Sequence, residues 1–199
     1  MSKFLNKISD ITHLHKRAAF SDLPKRIAAK ESVFMGIARE RYSCRKFKDT
    51  PLTQVQIGHI LEAARVAPSA CNLQPVHVWV VKSQEALAKL KNASAYTYDA
   101  PAVFMVGCKP SDAWVRQADG KNGAEVDAAI AGTYIMLEAS ALGLGSVWVG
   151  SFDPAAIKTI FPETADYEIV ALFPVGIPAV EDSPNRGKRK PIEEFASEI

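Results

Sequence analysis

Cysteine is scarce and unpaired in this chain. The three residues Cys44, Cys71 and Cys108, spread over 199 positions, follow neither a paired nor a C-x-x-C spacing. That argues against a disulfide framework and against a zinc or iron–sulfur site. Surplus charge is missing too: 24 basic residues against 22 acidic leave a net charge of +2, so the broad electrostatic footprint of a nucleic-acid-binding protein is absent. No apolar run reaches the ~18 residues of a membrane span, and the start shows no apolar core followed by a small-residue cleavage site. These absences set the expectation of a cytoplasmic protein with no nucleic acid and no membrane among its partners. The four histidines, His13, His15, His59 and His77, are dispersed, and no Ser–His–Asp order stands out, so no side chain is assigned a catalytic role. There is no internal repeat and no low-complexity tract.

What is present is enough apolar sequence, 48% of residues, to build one core, and too little chain for two full domains. The first 34 residues differ from the rest. Phe4, Ile8, Ile11 and His15 recur at helical spacing among Lys3, Lys7, Lys16 and Arg17, which predicts an amphipathic N-terminal arm over 1–34 packed on the body or on a partner subunit, with a membrane-surface helix as the alternative. Pro24 separates that arm from a second short helix running towards Arg39. Residues 35–199 form the main domain.

Within it, Thr53 and Gln56 stand at capping-box spacing ahead of the apolar face Ile57, Ile60, Leu61 and Ala64, a helix that Pro68 ends. Val76–Val81 is almost continuously apolar and predicts a buried strand. Ser83 caps a helix reaching Lys91, and Ala102–Cys108 is a second buried strand. The longest helical pattern runs from Ala124 to Leu142, with Val126, Ile130, Tyr134, Leu137 and Ala141 on one face and small residues elsewhere; apolar character on more than one side implies deep burial or a subunit interface. Gly143-Leu144-Gly145 follows that helix and precedes a strand at Ser146–Val149, so it is a helix stop and not a dinucleotide-binding turn. Asp153 and Pro154 open a short helix to Ile160, and Tyr167–Val175 is the last strand.

Two phrases carry the chemistry. Arg41-Tyr42-Ser43-Cys44-Arg45 places two guanidinium groups and a hydroxyl at alternate positions, which suits holding a phosphate by forked, charge-assisted hydrogen bonds. Ala67-Pro68-Ser69-Ala70-Cys71-Asn72-Leu73-Gln74-Pro75 is a proline-bounded loop in which Asn72 and Gln74 each offer a donor and an acceptor, matched to the edge of a polar ring system. Taken singly, the first pattern is common on solvated surfaces, the second occurs in ordinary turns, and the basic run Arg186–Lys190 could be a solvated tail. Taken together they describe a ligand with a phosphate at one end and a hydrogen-bonding heterocycle at the other.

In this combination and order, these phrases resemble the signature of the FMN-dependent nitroreductase family. The likeness covers roughly Ile37 to Phe195. The alanine-rich helix ending in Ala141-Leu142-Gly143-Leu144-Gly145 resembles the family's central dimer helix; Trp148-Val149-Gly150-Ser151-Phe152-Asp153 resembles the segment beside the flavin ring; and Gly187-Lys188-Arg189-Lys190-Pro191 resembles its closing phosphate-binding phrase. The resemblance implies an α+β fold, with a mainly antiparallel central sheet flanked by helices in an intimate homodimer, FMN as cofactor and NAD(P)H as reductant.

Carried onto this sequence, it implies that Arg41, Ser43 and Arg45, with Tyr42 acting through its backbone, hold the phosphate and ribityl end, and that Lys188 or Arg189 closes the other side. Pro68, Ser69, Ala70, Asn72 and Gln74 would line the flavin, across the subunit boundary. Val149, Gly150 and Ser151 would pass beside the ring, with Gly150 and Ser151 presenting backbone N–H groups near its N5 and O4. Two departures bear on substrate contacts: Gly150 stands where some relatives carry an acidic residue, and Ala70 where a hydroxyl residue is common. The implied activity is ping-pong transfer of a hydride from NAD(P)H through the flavin to small nitroaromatic or quinone-like acceptors. Other flavin chemistry on the same fold (flavin reduction, reductive dehalogenation, dehydrogenation) and non-enzymatic flavin binding or sensing are the alternatives. Cys71 is read as a small residue in a tight turn, since no resolving cysteine stands near it in sequence. The short Lys109–Gly123 connection offers Trp114 as its one large flat side chain.

Overall fold

A computed structural model describes residues 32–180 and 187–199. The expected N-terminal arm lies outside the described residues except for its last three positions. Local sequence chemistry explains most elements directly. Ser32 caps α1 (Val33–Glu40), its side chain accepting from Met35 N–H. Helix α2 (Gln54–Arg65) carries the full capping box, with Thr53 accepting from Gln56 N–H and the Gln56 side chain accepting from Thr53 N–H; such a cap is worth about 1 kcal/mol. β1 (Val76–Val81), α3 (Gln84–Leu90), β2 (Ala102–Cys108), α4 (Ala124–Ala141), β3 (Gly145–Ser146), α5 (Pro154–Ile160), β4 (Glu168–Gly176) and α6 (Ile192–Phe195) follow. Asp153 caps α5 by accepting from Ala155 and Ala156 N–H.

The strands form one antiparallel sheet in the order β1-β2-β4-β3. Every residue of β2 is buried, because helices cover both faces. Phe104 and Val106 point with Phe173 and Val175 of β4 into the layer under α2 and α4, where Ile57, Ile60, Ala128 and Ile135 meet them. Val103 and Met105 point the other way, into the layer that Leu90 and Ile157 close from α3 and α5. This two-sided burial accounts for the nearly unbroken apolar character of β2.

Two expectations need correction. Val76–Val81 is an edge strand, paired only with β2, and five of its six residues are not fully buried; its apolar residues serve the two core layers in alternation while its outer backbone edge stays open among the described residues. The strand expected at Ser146–Val149 is shorter: β3 pairs only at Gly145 and Ser146, and Val149 rejoins the sheet by a separate bridge to Leu172. On α4, where apolar character on more than one side left deep burial or a subunit interface open, the face marked by Val126 and Tyr134 points away from the body, with those side chains 52% and 36% exposed. The small side, Ala128, Ala131, Gly132 and Ala139, packs inward, since only small residues let the helix axis approach the sheet closely.

The helix stop is as expected. Gly143 takes a positive φ of 72°, Leu144 N–H bonds to Ala139 O at 2.8 Å and Gly143 N–H to Ser140 O at 3.0 Å, the paired bonds of a Schellman motif.

Candidate cofactor site

The Arg41–Arg45 segment leaves α1 in an extended conformation and docks beside β3. Ser43 forms a parallel bridge with Ser146, and Cys44 N–H donates to Ser146 O at 3.0 Å. Gly145 is required here, because a Cβ at that position would lie 2.6 Å from Cys44 Cβ. Alternation does the rest: Cys44 is buried while its neighbours Ser43 and Arg45 reach outward. The Tyr42 side chain is engaged on its own account, its hydroxyl donating to Val180 O.

Arg41 is half-buried, and burial, followed by the nearby Arg189 guanidinium, pushes it below the ordinary arginine range. The fold therefore gathers Arg41 and Arg189, from opposite ends of the described chain. Among the described residues no carboxylate stands within ion-pair distance of Arg41, Arg45, Lys188 or Arg189. Like charges drawn together in a partly desolvated place, without an internal counter-ion, fit a multiply charged anion such as a phosphate.

The segment that docks against Ser43 continues into Val149–Ser151. Val149 is buried, and both its backbone groups are bonded to Leu172, at 2.9 and 3.0 Å. Gly150 and Ser151 are exposed, and among the described residues neither backbone N–H finds a backbone acceptor. Their position is held from behind, by Ser94 Oγ donating to Ser151 O at 2.8 Å and Asp153 N–H donating to Ala93 O at 2.8 Å. The Ser43–Ser146 bridge thus makes the Arg41–Arg45 segment a neighbour of the stretch that leads to Gly150 and Ser151.

The amide loop forms a second group. Cys71, Asn72 and Gln74 all adopt left-handed backbone conformations, with φ of 51°, 55° and 54°, each costing about 1–2 kcal/mol for a residue with a side chain. The strain is held by named bonds. Ser69 Oγ accepts from Gln74 N–H at 3.0 Å, Gln74 Nε2 donates to Asn72 O at 3.2 Å, and Asp127 Oδ1 accepts from Ala70 N–H at 3.0 Å. Pro68, Ser69 and Gln74 line a cleft of about 450 Å³ together with His77 and Asp127. Burial lowers the His77 pKa from its ordinary value of 6.5, which favours the neutral ring. Arg65, also at the cleft, is committed to Glu62 through two 2.6 Å hydrogen bonds.

None of Arg41, Ser43, Arg45, Gly150 or Ser151 lines this cleft. Within one chain the Arg41–Arg45 segment and the amide loop are thus two separate groups. Sequence reasoning passed over Asp127 and assigned His77 no role in the site. The signal for the first was a carboxylate among the small residues Ala124, Ala128 and Ala131 of one helix face; the second follows from register, since His77 lies in β1 just after the loop.

The fold is α+β, one four-stranded antiparallel sheet with helices on both faces. The sequence profile of the Nitroreductase family matches residues 38–97 and 91–177, and the chain belongs to that family. A Thermus thermophilus protein named NADH dehydrogenase is 30% identical over 188 residues, covering 78% of this chain and 91% of its own length. A nitroreductase family protein from Clostridium difficile 630 superposes with a TM-score of 0.76 at 33% identity, covering 81% of this chain and 95% of that one. A Desulfovibrio desulfuricans protein of the same fold, solved in complex with FMN, gives 0.72 at 25% identity, covering 85% and 98%.

Proposed function

We propose that this protein is an FMN-dependent NAD(P)H oxidoreductase acting, as a homodimer, on nitroaromatic or quinone-like acceptors. The observation that carries the reading is the convergence of Arg41 and Arg189 with no carboxylate in ion-pair reach among the described residues. Arg41, Ser43, Arg45 and Lys188 or Arg189 hold the phosphate end; Gly150 and Ser151 offer backbone N–H groups where negative charge develops. Ser69 and Gln74 shape the loop that meets the ring, and Asn72 supplies an exposed amide. FMN held by these residues would supply the hydride chemistry between NAD(P)H and the acceptor.

The chain's own part is to bind, orient and partly exclude water. The outward face of α4 and the exposed Val33 and Phe34 of α1, 82% and 59% accessible, provide the apolar area for a second copy, whose amide loop completes the site. The names of the relatives support the nicotinamide reductant. The test is oxidation of NADH and NADPH by purified protein, with and without a nitroaromatic or quinone. Acceptor-dependent turnover by a yellow, FMN-containing protein is expected; a protein that binds no flavin, or binds it and never turns over, overturns the proposal.

A further inference from the structure

Asp127 is the most unusual polar residue in the described molecule. Only 3% exposed, it lies in the first turn of α4, where the helix N-terminus favours negative charge. Its Oδ1 accepts from Ala70 N–H at 3.0 Å, and its Oδ2 is buried with no hydrogen-bond partner. The residue stands in the wall between the 450 Å³ cleft behind the amide loop and a second cavity of about 230 Å³ lined by Trp114, Asn122 and Ala70. A buried carboxylate oxygen without a donor carries a free-energy cost that an apolar residue would avoid. Such a cost retained next to a functional loop indicates a task that its first oxygen performs.

That task is visible in the backbone. Ala70 opens the short turn in which Cys71 and Asn72 take positive φ, followed by Gln74. Internal bonds of the loop, from Asn72 N–H to Ser69 O and from Gln74 N–H to Ser69 Oγ, tie it only to itself. The hydrogen bond to Asp127 ties the start of this turn to a rigid helix. We propose that Asp127 is a positioning residue for the cofactor: it clamps Ala70 N–H so that Asn72 and Gln74 are presented in the conformation that receives the flavin edge. This rests on the FMN reading above. It also makes α4 a two-sided element, with Asp127 gripping the loop inward and Val126 and Tyr134 turned outward.

The test combines FMN titration by fluorescence quenching with hydrogen exchange on the flavin-free protein, for wild type, Asp127→Asn, Asp127→Ala and Ala70→Pro. The last variant deletes the donor, and Ser69 already holds the extended conformation (φ −133°, ψ 157°) that a following proline requires. Losing one such bond is expected to weaken FMN binding about tenfold in D127A and in A70P, and to speed exchange of the 71–74 amides in both without FMN present. D127N keeps an acceptor and is expected to rescue affinity to within about threefold, and the D127A/A70P double variant to be no weaker than either single one. Wild-type affinity and exchange in folded D127A or A70P, additive losses in the double variant, or D127N as weak as D127A each overturn the clamp. Should D127A not fold, A70P decides alone. A wild-type protein that binds no FMN counts against the flavin reading, whereas the exchange comparison still reads the clamp.

Discussion

Gly132 of α4 lies against the ring of Phe173 in β4, so closely that a Cβ at position 132 would stand 2.3 Å from Phe173 Cζ and 3.1 Å from Trp148 Cζ3. Phe173 is fully buried and meets Trp148 edge-on, with centroids 4.9 Å apart, so the ring has no free direction in which to retreat. Gly132→Ala should therefore destabilise the fold by about 1–3 kcal/mol, overpacking outweighing the ~1 kcal/mol that alanine gains over glycine inside a helix. Urea denaturation measures it. An unchanged or raised midpoint would show that α4 can lift off the sheet without cost.

Arg41 and Arg45 carry the phosphate proposal. Replacing both with alanine removes two charge-assisted contacts of roughly 1.5–3 kcal/mol each, so FMN affinity should fall by orders of magnitude while the thermal transition is kept. A folded double variant with wild-type affinity would place the phosphate elsewhere.

Tyr134, 36% exposed on the outer face of α4, tests the dimer. Tyr134→Glu puts a charge in the proposed interface, and light scattering should report dissociation together with loss of FMN. A monomer that retains FMN and full activity would sink both the dimer and the cross-subunit role of Asn72 and Gln74.

Burial, reinforced by Glu168, Glu125 and Asp127, pushes the Cys108 thiol from 9.0 up to about 11. Below pH 9 both folded and unfolded chains keep this proton. Between pH 9 and 11 the unfolded chain releases it first, so stability falls as pH rises through that window. The loss should be on the order of 2 kcal/mol, and Cys108→Ala should flatten this alkaline slope. In the folded protein at pH 8, iodoacetamide should modify Cys71, the exposed cysteine, and spare buried Cys44 and Cys108. Equal labelling of all three would contradict this burial.

Trp114, 38% exposed, stands at the base of a small hairpin in the Lys109–Gly123 connection. That hairpin is closed by the Val115–Asn122 bridge and by two Arg116–Asp119 hydrogen bonds of 2.7 and 2.6 Å. It gives the connection an ordered form without enough chain for a covering lid. Acceptors of matched potential but different shape should therefore react at comparable kcat/KM, and Trp114→Ala should alter flat aromatic acceptors most. A preference of several orders of magnitude for one shape would show a closed, selective site.

Much of this was legible in the chain itself, for a local reason. The caps at Thr53, Ser83 and Asp153 and the stop at Gly143 depend on residues two to five positions apart, so sequence spacing states the geometry. The same holds for the alternation of Arg41, Ser43 and Arg45, which follows from an extended backbone. Val76–Val81 misled because apolar content reports two covered faces and is silent about whether a strand has a second neighbour. On α4 the large residues attracted attention, whereas the close approach to Phe173 needed the small ones.

The sequence by itself determined which residue types are available to a cofactor, where the capped helices begin, and the family those motifs resemble. Only the tertiary structure decided which of them meet. Arg41 and Arg189 converge although they come from opposite ends of the described chain, and Asp127 reaches Ala70 across 57 positions. Such pairings are fixed by how α4 packs on the sheet and how β3 accepts Ser43, through steric fit and hydrogen bonds between distant segments. No spacing along the chain encodes them.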